Sequence, residues 1–227
     1  MPSKARRPAV VAAGAVIVAT GLVGLAHAPF ARSLLMSLGG CPMAGARMTA
    51  AQADRARHMA LGADRPTASA PARPALVFAL DSTTLDDARR WARREHVDCD
   101  DPRPGAIHCT GVRADALGLP ATQGRVDELA LEFDPDGRLV NMTTFRTHLR
   151  PAVASTEAHA IVASLAERLG PAARSAGDFA ASSLGGPAAR SISTVMYRFG
   201  DYVADVTAMN APSSGPSIRE HYMSARD

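Results

Sequence analysis

Lysine and aromatic residues are scarce in this chain. Lys4 is the only lysine, so almost all of the 25 basic residues are arginines, and they are spread among 22 acidic residues. One Trp, three Tyr and six Phe predict a modest, mostly aliphatic core. No Lys/Arg block with interleaved aromatics occurs, which argues against nucleic-acid binding. The excess of Arg and Ala is typical of a GC-rich bacterial genome.

Recognisable catalytic motifs are also missing. The sequence contains no nucleophile elbow, no zinc-protease helix motif and no Gly-rich phosphate loop, so we predict no catalytic residue, no cofactor and no metal site. One polar cluster mixes imidazole and carboxylates, which makes a metal site conceivable. We interpret it instead as a solvated loop with a disulfide cysteine; its members are Glu95, His96, Asp98, Cys99, Asp100 and Asp101.

Only three cysteines occur. Cys99 and Cys109 flank a turn-rich loop, a spacing that predicts a disulfide in an oxidising compartment. The alternative is two independent buried thiols. Cys41 stands apart in Gly-Gly-Cys-Pro-Met. It is a passive thiol, a lipidation site, an intermolecular disulfide partner or a haem-responsive Cys-Pro site.

An uncharged hydrophobic stretch occupies residues 9–31. Its length is just sufficient for a transmembrane helix, which needs roughly 20 apolar residues. Lys4, Arg6 and Arg7 precede it, so the positive-inside rule predicts a cytoplasmic N-terminus. A cleaved signal peptide is the main alternative, but Pro29 disfavours cleavage after Ala28. A lipoprotein signal ending at Cys41 is a third alternative.

The chain is thereby divided into four parts. Residues 1–8 form a cytoplasmic N-terminus and residues 9–31 a membrane anchor or signal segment. Residues 32–75 form a juxtamembrane segment that ends in a linker rich in Pro and Ala. Residues 76–227 form a domain outside the cytoplasm. We therefore expect a single-pass protein of the bacterial inner membrane whose C-terminal domain lies in the periplasm.

Hydrophobic periodicity predicts two helices and several strands in that domain. The helices span 85–95, with an N-cap among Ser82, Thr83 and Thr84, and about 156–169. A first buried strand is predicted at 76–80. Asp134-Pro135-Asp136-Gly137 predicts a turn between two strands. The remaining strands are predicted at 106–112, 126–133, 139–147, 192–199, 202–209 and 217–224.

Runs of adjacent antiparallel strands favour an α+β fold, with two helices packed on hairpins. The order helix, strands, helix, strands suggests two tandem α+β units. This order is similar to that of the outer-membrane assembly lipoproteins of the SmpA/OmlA type. The resemblance implies a small envelope module and supplies no matched site residue.

These features predict a membrane-anchored binding or scaffolding module that has a protein partner in the cell envelope and no catalytic activity. A possible docking face on the first helix consists of Arg89, Arg90, Arg93 and Arg94, and Asp86 is placed to pair with Arg90. The alternatives are a ligand-binding or enzymatic domain and a thiol- or haem-responsive protein acting through Cys41. The candidate residues of the enzymatic alternative are His96, Asp98, His108 and His148.

Overall fold

The computed structural model describes residues 66–120, 123–186, 191–211 and 214–224. The predicted anchor at 9–31 and Cys41 lie outside these residues. The described residues form two longer helices, the eight strands of the main sheet and four short elements. They are β1 (Pro74–Ala75), β2 (Phe78–Ala79), α1 (Leu85–Glu95), β3 (Asp98–Asp100), β4 (Ala106–Arg113), a 3₁₀ turn (Asp115–Leu117), β5 (Arg125–Phe133), β6 (Leu139–Arg146), α2 (Pro151–Leu169), β7 (Arg174–Ala176), α3 (Ala181–Gly185), β8 (Ile192–Arg198), β9 (Tyr202–Ala211) and β10 (Gly215–Ser224).

Strands β3 to β10 form one antiparallel sheet in the order β3-β4-β5-β6-β10-β9-β8-β7. Each half of this sheet is a four-stranded meander that follows a long helix. The halves join where β6 pairs with β10, so the last strands of the two meanders lie side by side. The α+β prediction is confirmed. The separate hairpins of the prediction are instead parts of one continuous sheet.

Helix α1 begins and ends as its sequence predicts. The Thr84 hydroxyl accepts a hydrogen bond from the Asp87 amide at 3.1 Å, and the Asp87 carboxylate accepts one from the Thr84 amide at 3.0 Å. This capping box satisfies two otherwise unpaired amides. His96 ends the helix in a left-handed conformation. Trp91 is buried and donates its indole N–H to the Ala116 carbonyl at 3.1 Å.

Helix α2 begins five residues earlier than the predicted start at Thr156. Pro151 occupies its first turn, where the fixed φ of proline suits a helix and the missing N–H costs no hydrogen bond. The predicted helix, about 156–169, did not include this proline. The predicted end is confirmed, because Gly170 follows Leu169 with a φ of 82°. Ile161, Leu165 and Leu169 are buried as the helical period requires.

The predicted strand at 76–80 is wrong. Leu76 has a φ of 56°, a left-handed conformation that reverses the chain. Two short strands, β1 and β2, therefore pair with each other about this turn. Apolar character alone could not separate this tight hairpin from one extended strand. By contrast, the predicted Asp134–Gly137 turn is confirmed, with Gly137 at a φ of 75°.

Part of the predicted linker contacts the domain. The Ala68 carbonyl accepts a hydrogen bond from the Gly200 amide at 2.7 Å, and the Ala70 amide donates to Asp201 at 2.8 Å. Arg73 binds the carboxylates of Asp81 at 2.5 Å and Asp201 at 2.8 Å. These hydrogen bonds and ion pairs hold residues 68–73 against Asp81 and against the turn between β8 and β9.

The helices all pack on one face of the eight-stranded sheet. Residues of α1, α2 and α3 belong to a single hydrophobic core together with the inward side chains of the sheet. The five-residue helix α3, which contributes the fully buried Leu184, was not predicted. The described residues therefore form three helices, whereas two were predicted. None of the described helices is long and apolar enough to cross a membrane.

Candidate functional site

The cysteine prediction is confirmed. Cys99 on β3 and Cys109 on β4 are register partners, and their sulfurs form a disulfide with an S–S distance of 2.07 Å. Cys109 is fully buried in the core and Cys99 is half-buried. The disulfide links the edge strand β3 covalently to β4.

Among the described residues, no group of His, Cys, Asp and Glu side chains is arranged to hold a metal ion.

The arginines of α1 are largely neutralised by neighbouring carboxylates. Arg89 binds Asp101 at 2.6 Å and lies 4.0 Å from Asp86. Arg90 pairs with Asp87 rather than with Asp86, because the capping box already holds the Asp87 carboxylate at the start of the helix. Arg94 binds its neighbour Glu95 at 2.9 Å. The Arg89/Arg90/Arg93/Arg94 docking face stays a prediction, with less free charge than the sequence suggests.

The four residues of the enzymatic alternative lie on different elements. His96 caps α1, Asp98 is exposed on β3, His108 lies on β4 and His148 follows β6. His108 lies 3.5 Å from Asp100 and 3.7 Å from Glu128, so its neighbours are carboxylates outside the predicted set. Among the described residues, neither a nucleophile nor a second candidate histidine contacts His108, Asp100 or Glu128.

One face of the eight-stranded sheet lies opposite the described helices, and we call it the open face. A row of residues, one from each strand, crosses the middle of this face. Each residue is the register partner of the next, and we call the set the central row. None of the described helices packs on this face. Its central row runs through Asp100, His108, Ala130, Thr143, His221, Asp205, Met196 and Arg174.

Asp205 lies at the centre of the basic part of this face and is almost completely buried. Its carboxylate accepts a hydrogen bond from Arg219 at 2.6 Å and contacts His221 Nδ1 at 2.8 Å. Burial by itself would raise the pKa of Asp205, but the bonds and charges of His221 and Arg219 outweigh burial and lower that pKa. Asp205 therefore stays ionised and holds both basic side chains against the sheet.

Charges of opposite sign occupy the two halves of the open face. The acidic half, on β3–β6, carries carboxylates at Asp98, Asp100, Glu128 and Glu132, with Arg103 paired to Glu132. The basic half, on β7–β10, carries guanidinium groups at Arg174, Arg198 and Arg219, with Asp205 as the buried counter-charge. The sign of the charge changes across the sheet, near the seam between β6 and β10.

Apolar side chains lie near that seam. Val203 and Met223 are register partners that form a small buried cluster separate from the main core. Phe145 on β6 is half-buried and is the register partner of Arg219 on β10. Beside the seam, the half-buried Phe145 therefore lies among polar side chains, between the two charged halves of the face.

A buried ionic network on the other side of the sheet was missed by the sequence analysis. Arg146 is 1% exposed and binds Glu157 and Glu220, each at 2.7 Å. Tyr222 donates to Glu220 at 2.6 Å. The period-2 alternation of β6 and β10 places Arg146 and Glu220 on the inward face, and this pattern was the available signal.

A groove of about 830 Å³ runs along the first half of α2. Glu157 joins the buried network to this groove, and burial together with the charge of Glu220 raises its pKa against the opposing effect of Arg146. None of the four residues of the enzymatic alternative lines the groove. The other lining residues are mostly apolar and include Pro120, Pro151, Val153, Ala160 and Ala181.

Comparison with known proteins finds no family model, no curated protein and no solved structure that matches the chain.

Proposed function

We propose that this protein is a membrane-anchored, extracytoplasmic binding or scaffolding module that engages a protein partner through the open face and performs no catalysis. One observation carries the proposal: all three described helices pack on one side of an eight-stranded sheet, and none of them packs on the other side. Antiparallel sheets tolerate one solvated face. The open face also carries apolar side chains, and its two halves carry charges of opposite sign.

The chemistry of the face defines the partner surface that fits it. A complementary partner has basic groups opposite Asp100 and Glu128 and acidic groups opposite Arg174. Such complementarity accelerates encounter and rejects wrongly oriented partners more than it adds affinity. The affinity would come from the half-buried apolar side chains of Phe145 and Met196 on this face.

A photocrosslinking amino acid at Thr143 tests this proposal in intact cells. Thr143 lies in the central row beside the seam, whereas exposed Ala163 on α2 provides a matched position on the helix side. We expect a discrete adduct from position 143 and none from position 163. The adduct should disappear when Asp100→Arg and Glu128→Arg are introduced together. Equal adducts from both positions, or an adduct insensitive to the charge reversal, would contradict the proposal.

The membrane location has independent support in the sequence. Residues 9–31 are apolar and follow three basic residues, and the Cys99–Cys109 disulfide suits an oxidising compartment. The expected form is a single-pass inner-membrane protein with its domain in the periplasm. The intact mass of the protein from membranes should include residues 9–31, and external protease should digest the domain in spheroplasts. A mature N-terminus beyond residue 28, or a lipid on Cys41, would replace the anchor with one of its alternatives.

A further inference from the structure

We propose that the groove along the first half of α2 binds a short apolar peptide with free ends. The N-terminal ammonium of the peptide binds Glu157, and its C-terminal carboxylate binds at the start of α2 beside Arg150. The volume of the groove, about 830 Å³, is in the range usual for small-molecule sites. The groove is on the helix side of the sheet, so the proposal does not depend on the open face.

The groove is accessible to a ligand from solvent. Of its described lining residues, five are exposed, four are half-buried and only Glu157 is buried. Arg150 and Glu157 are the only charged residues in that lining. Most of the others are aliphatic and suit the apolar side chains of a peptide; they are Pro120, Pro151, Ala152, Val153, Ala160 and Ala181.

Glu157 offers a free hydrogen-bond acceptor to the groove. The residue is only 6% exposed, and its Oε2 accepts a hydrogen bond from Arg146 at 2.7 Å. Its Oε1 accepts no hydrogen bond from any described residue, yet it is not sealed from solvent as the unpaired Nε of Arg146 is. Because Glu157 lines the groove, Oε1 is reached from there.

The buried network is short of one positive charge. Glu157 and Glu220 share the single guanidinium of Arg146, which is the only cation that contacts them in the described chain. Burial and the charge of Glu220 raise the pKa of Glu157. Buried charges are tolerated when they are paired and hydrogen-bonded. An ammonium on Oε1 would supply both the missing donor and the missing charge.

The start of α2 provides the opposite charge for the other end of the ligand. Arg150 gives the helix no side-chain cap, and the amides of Ala152 and Val153 donate to no described residue. The exposed Arg150 side chain also forms no ion pair within the described ranges. Unpaired amides at a helix N-terminus favour an anion, and the adjacent guanidinium strengthens that preference. A peptide carboxylate fits this end of the groove.

The spacing of the two charges matches a short peptide. Arg150 and Glu157 lie on one side of α2, about 10 Å apart along the helix axis at about 1.5 Å per residue. An extended chain spans about 3.3–3.6 Å per residue, so a tripeptide covers this distance. Gln123 favours a peptide over other zwitterions. Its Oε1 accepts from Arg146 at 3.0 Å, which leaves its side-chain N–H groups to donate to a peptide carbonyl.

Isothermal titration calorimetry tests the site on the full-length protein in detergent micelles, with titration into empty micelles subtracted. The probe is the tripeptide Ala-Leu-Ala. Its N-acetylated form lacks the ammonium, and N-acetylation should weaken binding about tenfold or more because it leaves Glu157 Oε1 without a donor. Its C-amidated form lacks the carboxylate, and amidation should weaken binding by roughly threefold because Arg150 is exposed.

Two variants assign these effects to residues. N-acetylation should make little difference to binding by Glu157→Gln, and amidation should make less difference to binding by Arg150→Gln than to binding by the wild type. Glu167→Gln removes an exposed carboxylate of α2 outside the groove and should bind all three peptides as the wild type does. Circular dichroism should show unchanged folding. The comparison of peptides on the wild type needs no variant at all.

Failure of the free tripeptide to bind the wild type, or equally tight binding of its N-acetylated form, would overturn the proposal. An effect of N-acetylation that persists in Glu157→Gln would also overturn it. The ω-aminooctanoate zwitterion carries both terminal charges and no peptide group, so binding as tight as that of the tripeptide would overturn the assignment of a peptide. The Thr143 crosslink reports on the other side of the sheet and tests the open face separately.

Discussion

Arg146 is a single residue on which the interior of the domain depends. Its guanidinium is the cation between Glu157 and Glu220, and all three side chains are buried. Removing one partner from a buried ion pair leaves uncompensated charge and typically costs about 3–5 kcal/mol. We expect Arg146→Ala to lower the free energy of unfolding by about that amount, as measured by urea denaturation.

Arg125 supplies the matched control for Arg146. It lies at the start of the neighbouring strand β5, is exposed, and donates only to the Gly111 carbonyl at 3.2 Å. Arg125→Ala should change the free energy of unfolding by less than about 0.5 kcal/mol, as is usual for surface substitutions. Equal losses for the two substitutions would show that the buried network has no special role.

Glu157 gives the network a predictable pH dependence. Burial raises its pKa above the ordinary 4.5, so the folded protein binds a proton more tightly than the unfolded chain does. Its contribution to stability therefore declines as pH rises from about 4.5 through the folded-state pKa. Glu157→Gln keeps a hydrogen-bond acceptor for Arg146 and abolishes the titration.

The test compares urea unfolding of the wild type and Glu157→Gln between pH 4.5 and 7. As pH rises, the unfolding free energy of the variant should increase relative to that of the wild type. A difference that is constant with pH, or that moves in favour of the wild type, would show that burial does not dominate at Glu157. Asp205 is present in both proteins and its pKa is lowered by His221 and Arg219, so it does not account for a difference between them.

At the scale of elements, the disulfide is the feature with the clearest energetic consequence. Closing a loop with a sequence separation of 10 stabilises the domain by about 2–3 kcal/mol in chain-entropy terms. We expect Cys99→Ala with Cys109→Ala to lower the unfolding free energy by that amount. Reduction of the wild type should have the same effect, and reduction of the double variant should have none. Equal stability of oxidised and reduced wild type would refute the contribution of the bond.

Most elements follow from local sequence. The capping residues of α1, the alternation of β5 and the turn at Gly137 each have a local physical cause, and the structure confirms them. The predictions that were wrong concern positions whose local conformation is determined by contacts with distant parts of the chain. Pro151 could begin a helix or end a loop, and only the burial of Ala154 against the sheet favours the helix. Leu76 adopts a left-handed conformation that its residue type does not predict.

At the scale of the whole molecule, the pairing of β6 with β10 could not be predicted from the sequence. These strands are separated by α2 and three other strands, and no local signal specifies their register. Yet this pairing creates the open face, because it brings Thr143 beside His221 and aligns the acidic and basic halves. The disulfide was predictable from spacing, whereas the charge segregation was visible only after the strands were ordered.

The claim that the open face is the binding surface is most directly tested by hydroxyl-radical footprinting in native membranes. Phe145 and Met196 report on the open face, and exposed His159 on α2 reports on the helix side. Oxidation of Phe145 and Met196 should be several-fold slower in membranes than in the purified protein, whereas His159 should be oxidised equally in both. Equal oxidation of the open-face residues in the two states would contradict the claim.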